Sequence, residues 1–205
     1  MSDPDSGASC AAVVLAAGAS TRLGQPKQLL RVNSESLLHR VVRLATEAGC
    51  APTFVVLGFD AERMQQELDN SGVKIVFNPD WQSGMGSSLR CGMSAVMKEN
   101  PLPQKALLLL CDQAKLSAVF LSRLIQGSKE RDSRITASSY AGRFGVPAIF
   151  DKQFYPELLQ IEGDQGARAL IQQYQKQATM VDFPEGTVDI DTPEDLATLR
   201  AISPE

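Results

Sequence analysis

The sequence predicts an α/β fold with a mostly parallel central sheet. Apolar runs of strand length show no polar alternation, which is typical of strands buried on both faces of a sheet. Segments with apolar residues at helical spacing lie between these runs. Hydrophobic residues make up 43% of the 205 residues, enough to bury a full core. These observations favour one domain over residues 10–205, after a flexible polar tail at residues 1–9.

The first half of the chain follows a β-α-β-α-β order. Strands are predicted at 11–17, 53–57 and 73–77 from their short apolar runs. Helices are predicted at 34–48 and 61–68, where apolar residues recur at helical spacing. Right-handed crossovers make such strands parallel and bring their carboxyl ends to one edge of the sheet. Open α/β sheets bind ligands at that edge.

The second half of the chain adds to this core. A strand is predicted at 105–110, and β-like segments at 135–139 and 146–150 predict a hairpin or extra strands at the far side of the cleft. The remaining predicted elements are helices at about 84–98, after Ser117, at 151–161 and at 165–174, a last strand at 178–183 and a helix start at Pro193.

Charge and hydropathy narrow the range of partners. The formal net charge of −4 gives no overall attraction to nucleic acid or to an anionic membrane. No stretch approaches the roughly 20 apolar residues of a membrane span, and residues 1–9 are polar and acidic, unlike a signal peptide. We therefore expect a cytoplasmic protein whose partner is a small anion.

The cysteines and the single histidine give no metal or disulfide pattern. Cys10, Cys50, Cys91 and Cys111 are far apart in sequence without a CxxC pair, and His39 is the sole imidazole. We expect reduced, buried thiols and a structural histidine.

The loop that leaves the first strand has the composition of a phosphate-binding site. Its small residues let backbone N–H groups approach a ligand, and Gly18 and Gly24 permit positive φ angles. Arg22 and Lys27 add positive charge. The glycine spacings of a Walker loop and of a Rossmann fingerprint are both absent. A plain turn with exposed basic residues is the alternative, but this combination favours phosphate binding.

A second glycine-containing segment, residues 78–89, follows the third strand at the same edge. Gly84 and Ser88 lie where a helix opens, so that its amides and hydroxyls can meet an anion or a base. In the alternative interpretation the segment is a capped turn in which Trp81 and Met85 cover the core. The two interpretations are evenly balanced on local grounds.

A strand-end aspartate and two later aspartates suggest a metal site. Asp112 follows the strand at 105–110, and a carboxylate there can hold Mg²⁺ together with phosphate oxygens. The alternative, a cap for the following helix, is less favoured. Asp189 and Asp191 alternate along the chain, so only one of them easily reaches a shared metal.

The stretch GDQGAR, residues 163–168, places Asp164 at a predicted helix start and Arg168 one turn further on. Considered locally, this pattern favours a simple helix cap with its own salt bridge.

Six motifs taken together resemble the MobA-like nucleotidyltransferases, and most of all the molybdenum cofactor cytidylyltransferase branch. They are LAAGASTRLGQPKQLL, NPDWQSGMGSSL, LLCDQ, GRFGVP, GDQGAR and DIDTPEDL. They follow one another in the expected order, and the likeness runs from about residue 11 to residue 199. The resemblance implies a Rossmann-like three-layer nucleotidyltransferase fold. It also implies an Mg²⁺-dependent enzyme that joins CMP from CTP to a molybdopterin phosphate and releases pyrophosphate.

The resemblance also assigns roles to residues. Arg22, Lys27 and Asp112 are the expected catalytic residues, and Asp112 and Asp191 the expected Mg²⁺ ligands. The residues expected to bind the nucleotide are Leu15, Ala16, Ala17, Gly18, Arg22, Lys27, Asn78 and Ser88. Those expected to face the second substrate are Gly84, Met85, Asp164 and Arg168.

Two departures from the family pattern leave the second substrate open. Ala114 stands where members often have proline, and Val146 stands where several have histidine. CTP is favoured over GTP or ATP only through the resemblance. Two alternatives remain: a sugar- or polyol-phosphate nucleotidyltransferase, and a non-catalytic nucleotide-binding accessory protein. A molybdoenzyme or its chaperone is a further possible partner.

Overall fold

A computed structural model of the chain describes residues 9–130, 133–187 and 195. The strands are β1 (Cys10–Leu15), β2 (Arg31–Val32), β3 (Glu35–Ser36), β4 (Thr53–Leu57), β5 (Lys74–Phe77), β6 (Lys105–Leu110), β7 (Ile135–Tyr140), β8 (Arg143–Asp151) and β9 (Thr179–Asp182). The α-helices are α1 (Leu37–Glu47), α2 (Ala61–Glu67), α3 (Met85–Val96), α4 (Ala118–Glu130), α5 (Tyr155–Leu158) and α6 (Arg168–Gln173).

A seven-stranded sheet in the order β5-β4-β1-β6-β8-β7-β9 forms the centre of the molecule. β5, β4, β1 and β6 are parallel neighbours. β8 runs antiparallel to both β6 and β7, while β9 pairs with β7 in parallel. The prediction of a mostly parallel sheet is confirmed, and the predicted hairpin is β7–β8 within this sheet.

Helices cover both faces of the sheet, so the fold has three layers. Alternate residues of β1 point to opposite faces: Ala12 and Val14 pack with the buried side chains of α1 and α4, and Ala11 and Val13 pack with those of α3, α5 and α6. A continuous apolar strand is needed to fill both cores at once, which is why the run at 11–15 carries no polar residue.

Three helices begin at least three residues later than predicted, and one of them, predicted at 165–174, begins at Arg168. The helix predicted at 34–48 begins only at Leu37, because the Ser36 hydroxyl accepts a hydrogen bond from the His39 amide and β2 and β3 form a small hairpin before it. The helix predicted at 151–161 is reduced to a 3-10 turn and the single turn of α5. Asp151 ends β8 and caps that 3-10 turn, which delays the helix.

Some predictions fall on residues outside the described ranges. These are the tail at residues 1–8, the aspartates Asp189 and Asp191, and the helix start at Pro193. None of the described helices is long and apolar enough to cross a bilayer. The four thiols are free, and His39 contacts the Glu35 carboxylate at 3.0 Å on the outer side of α1.

Candidate active site

Two adjoining cavities open at the carboxyl ends of β1 and β6. The larger has a volume of about 410 Å³ and lies between the loop after β1, the 3-10 turn Trp81–Ser83 and the start of α3. The smaller has a volume of about 200 Å³ and extends toward β7, β8 and the segment before α6. The larger cavity is called the first cavity and the smaller the second cavity below. They share the four wall residues Leu15, Met85, Leu110 and Asp164.

The loop after β1 lines the first cavity, and its backbone differs from the prediction at Gly18. Gly24 has the expected positive φ of 69°, but the other left-handed residue of the loop is Ser20, with a φ of 53°. A Cβ added at Gly18 would meet no atom within 4 Å. Gly18 therefore provides open space beside the cavity, while Leu15, Ala16 and Ala17 line its wall.

Lys27 and Asp112 meet in the first cavity although 85 residues separate them. The Lys27 Nζ atom lies 2.7 Å from Asp112 Oδ2, and the two side chains are 21% and 16% exposed. The 3-10 turn Lys27–Leu29 presents the lysine, and the end of β6 presents the aspartate. The predicted convergence of a cationic loop and a strand-end carboxylate is therefore found for this pair.

Asp112 fits the role of a metal ligand in one specific respect. Its second oxygen, Oδ1, is buried without a hydrogen-bond partner in the described part of the chain. A buried carboxylate oxygen left without a partner is costly, and a hard cation would satisfy it. The neighbouring Cys111 thiol is an unsuitable ligand, because burial raises its pKa well above the ordinary value.

The other expected cationic and acidic groups lie outside what is described. The Arg22 backbone is in the 3-10 turn Thr21–Leu23, but its side chain is not described, and Asp191 falls in the 188–194 gap. Within the described ranges, no three His, Cys, Asp or Glu side chains cluster as a metal site. Asp112 would hold a cation together with phosphate oxygens, as Mg²⁺ prefers.

Asn78 and Ser88 belong to one hydrogen-bond network at the base of the first cavity. The Asp80 amide donates to Asn78 Oδ1 at 3.0 Å, so the Asn78 Nδ2 group must face the hydroxyls of Ser87 and Ser88, which lie 2.9 and 3.0 Å away. Asn78 is buried behind the wall and positions the serines. Ser88 lines the cavity itself.

Gly84 and Met85 lie where the two cavities meet. Gly84 has a φ of 102°, and a Cβ there would be 2.5 Å from Asp164 Oδ1. The Gly86 amide donates to the Gly163 carbonyl at 2.8 Å, so α3 begins directly against the segment that carries Asp164. Met85 is 40% exposed and lines both cavities. Its side chain is part of the site rather than a cover over the core.

Asp164 and Arg168 do not form the helix cap that local reasoning favoured. The residue preceding α6 is Ala167, and no side chain caps that helix. Asp164 instead lines both cavities and Arg168 lines the second. The apparent capping pattern fails because the glycines at 163 and 166, both with positive φ, turn the chain before the helix begins.

Sequence reasoning missed several wall residues. Trp81 and Gln82 line the first cavity, and Tyr140 and Gln165 line the second. A single tryptophan in a loop at the ligand edge was a usable signal. The sequence around Tyr140 gave no such signal, because Tyr140 is distant in sequence and reaches the second cavity only through the β7–β8 hairpin.

Comparison with known proteins gives the following matches. The chain is 32% identical to the nicotine blue oxidoreductase of Paenarthrobacter nicotinovorans, over 91% of this chain and 94% of that protein. It is 24% identical to the molybdenum cofactor cytidylyltransferase of Escherichia coli, over 92% and 94%. The crystal structure of a manganese complex of Rv0371c from Mycobacterium tuberculosis matches with a TM-score of 0.76 and 27% identity, over 93% and 97%.

A family model matches most of the chain. The model describes the MobA-like NTP transferase domain and covers residues 12–178. This range contains both the 3-10 turn that carries Lys27 and the end of β6 that carries Asp112. The chain belongs to the MobA-like NTP transferase family and is a nucleotidyltransferase.

Proposed function

We propose that the protein is an Mg²⁺-dependent cytidylyltransferase that transfers CMP from CTP to the phosphate of molybdopterin or the molybdenum cofactor and releases pyrophosphate. The observation that carries the proposal is the meeting of Lys27 and Asp112, with Asp112 Oδ1 unpartnered among the described residues, beside a loop of small residues. In this proposal the first cavity takes the nucleotide and the second takes the acceptor.

The proposed nucleotidyl transfer requires the substrates to be positioned and their negative charge to be neutralised, but it does not require a general base. A terminal phosphate is largely ionised near neutral pH, so its oxygen can attack the α-phosphorus in line without a proton acceptor. Lys27 and Arg22 would neutralise the charge that develops toward pyrophosphate. A divalent cation bound at Asp112, with Asp191 as the second ligand, would supply further charge neutralisation and align the phosphates.

The second cavity supports a flat, partly apolar acceptor. Its floor is made of aliphatic side chains such as Leu89 and Leu108, while Asp164 and Arg168 supply polar groups at its wall. A fused heteroaromatic ring can pack on such a floor and form hydrogen bonds at its edge. A sugar or polyol phosphate would leave most of its hydroxyls facing apolar surface without partners. The cavity therefore favours the molybdopterin class.

Substrate choice and class of activity are tested together by one assay. Pyrophosphate release is measured with each of the four NTPs, with and without molybdenum cofactor and with a panel of sugar phosphates. Release with CTP and the cofactor is the expected result. Release with a sugar phosphate alone would favour the first alternative. Nucleotide binding without release would favour an accessory protein that delivers the cofactor to a molybdoenzyme or its chaperone. One relative is named as an oxidoreductase. If no acceptor gives pyrophosphate release, oxidoreductase activity is the next activity to test.

Asp112→Asn tests the central residue in the same assay. It keeps the size of the side chain but removes the charge, and we expect the turnover rate to fall about a hundredfold or more. Asp69→Asn is the matched control, because Asp69 is exposed and lies after α2 away from both cavities. Near-normal turnover by Asp112→Asn would remove the carboxylate from the mechanism.

A further inference from the structure

A buried glutamine lies directly beneath the loop after β1. Gln28 is only 2% exposed and sits in the same 3-10 turn as Lys27. Its Nε2 group donates to the carbonyl oxygens of Ala16, at 2.9 Å, and of Gly18, at 2.7 Å. Its Oε1 atom accepts from the Ser20 hydroxyl at 3.5 Å. One neutral side chain therefore contacts three alternate residues of the loop.

These contacts fix the direction of the loop amides. In a trans peptide the carbonyl of one residue and the N–H of the next point in opposite directions. With the carbonyls of Ala16 and Gly18 turned toward Gln28, the N–H groups of Ala17 and Ala19 are turned away from it. The carbonyl between them, that of Ala17, accepts from the Phe59 amide at 3.1 Å, so the position of this peptide is also set.

The backbone N–H groups of residues 17–19 are available to a ligand. Within the described ranges, none of these three N–H groups has a hydrogen-bond acceptor in the protein, although all three residues line the first cavity. Backbone donors that lack a protein partner need water or a ligand. Successive N–H groups in a cavity wall are suited to an anion.

We infer that Gln28 is a positioning residue that aims the amides of Ala17 and Ala19 at the phosphate oxygens of the nucleotide. The inference rests on the proposed function, since it takes the loop to bind a polyphosphate. A glutamine suits the task because it donates two hydrogen bonds without bringing a charge under the loop. Without those donors the two peptide units can rotate, and a carbonyl oxygen facing a phosphate repels it.

The turn also links the amides to Lys27. The Lys27 amide donates to the Ser20 hydroxyl at 3.2 Å, so both Lys27 and Gln28 join the turn to the loop. Gln28 therefore sets the loop amides and the lysine as one unit.

Gln28→Met tests this role, because methionine has a similar length but no donor. The probe is inorganic tripolyphosphate, followed by the ¹⁵N and ¹H chemical shifts of the Ala17 and Ala19 amides. We expect the wild-type amide protons to move downfield and the Gln28→Met protons to move much less, with tripolyphosphate affinity and the KM for the NTP each weakened at least tenfold. Gln25→Met is the matched control, since Gln25 is an exposed glutamine in the same loop, and it should behave as the wild type.

The outcomes separate this inference from the proposed function. No shift in the wild-type protein would refute nucleotide binding at this loop, and with it the proposed function. Equal shifts and equal affinity in wild type and Gln28→Met would overturn only the positioning role. If Gln28→Met does not fold, Gln28→Glu replaces it, and we expect the same loss of binding. Loss of folding in both variants would overturn the inference, because the side chain would then serve the fold.

Discussion

Lys27 forms an ion pair with the carboxylate that would bind a metal ion. Lys27 and a divalent cation should therefore compete for Asp112, and this competition can be measured. The lysine holds Asp112 Oδ2 at 2.7 Å, while Asp112 Oδ1 has no partner in the described part of the chain. A divalent cation that binds before the nucleotide must share Asp112 with the ammonium group or displace it. Lys27→Met should therefore raise the affinity of the nucleotide-free protein for a divalent cation, although it weakens catalysis.

The size of the effect follows from the ion pair. At 2.7 Å and an effective dielectric constant of about 20, the gross attraction is about 6 kcal/mol. Desolvation of both charges and lost side-chain freedom offset most of it. For a pair at the boundary of the interior, about 1 to 2 kcal/mol of net stabilisation remains. Because about 1.4 kcal/mol corresponds to tenfold, Lys27→Met should bind the cation roughly tenfold more tightly.

Manganese is the convenient probe, because its free ion is counted directly by electron paramagnetic resonance. Mn²⁺ is titrated into wild type, Lys27→Met and Lys115→Met without nucleotide. Lys115→Met removes the same charge near Asp112 in sequence and reports any general electrostatic effect. Asp112→Asn should abolish the site. Equal or weaker Mn²⁺ binding by Lys27→Met than by wild type would refute the competition.

Two further substitutions test contacts elsewhere. Gly84→Ala places a Cβ 2.5 Å from Asp164 Oδ1 and should cost about 2 to 4 kcal/mol in urea unfolding and raise the KM for the acceptor. Gly72→Ala is its control, because Gly72 also has a positive φ but open space around it. Hydrogen bonds from Arg43 lower the pKa of Glu35 from 4.5 to about 2, so its ionised form stabilises the fold above pH 4.5, by roughly 2 to 3 kcal/mol. The stability difference between wild type and Glu35→Gln should be full at pH 7 and shrink as the pH falls from 4.5 toward 2; a difference that stays constant would contradict the assignment.

The parallel half of the sheet was predictable because its signals are local. β4 and β6 have the predicted bounds, 53–57 and 105–110. After its first residue each is an uninterrupted apolar run, and both faces of such a strand must be buried. The β2–β3 hairpin was missed, since strands of two residues are too short to show a period.

The approach of Lys27 to Asp112 was also predictable, but the residues that hold the loop in place were not. Parallel strands share one carboxyl edge, which brings the loop that carries Lys27 and the end of β6 that carries Asp112 to the same side of the sheet. Gln28 reads in sequence as an ordinary polar residue of a turn. The role proposed for Gln28 depends on its contacts with the carbonyls of Ala16 and Gly18, which form only in the folded chain. Asn78 was expected to bind the nucleotide; its buried side chain donates hydrogen bonds to the hydroxyls of Ser87 and Ser88, a network that the sequence does not show.

The part of the site proposed to bind the acceptor is formed by several segments. None of these segments has a sequence pattern that predicts a binding site by itself. The start of α3, the turn at 163–166 and the β7–β8 hairpin meet only in the fold, and Met85 lies where the two cavities join. Glycines on both sides of Met85 allow the close approach: a Cβ at Gly84 or Gly86 would lie within about 3 Å of the 161–164 segment. In the proposed assignment of the two cavities, the distance between nucleotide and acceptor therefore depends on these two glycines, which lack a Cβ. For this reason, in the proposed reaction, a single added methyl group at Gly84 should impair acceptor binding by displacing Asp164, while leaving the Lys27–Asp112 pair in place.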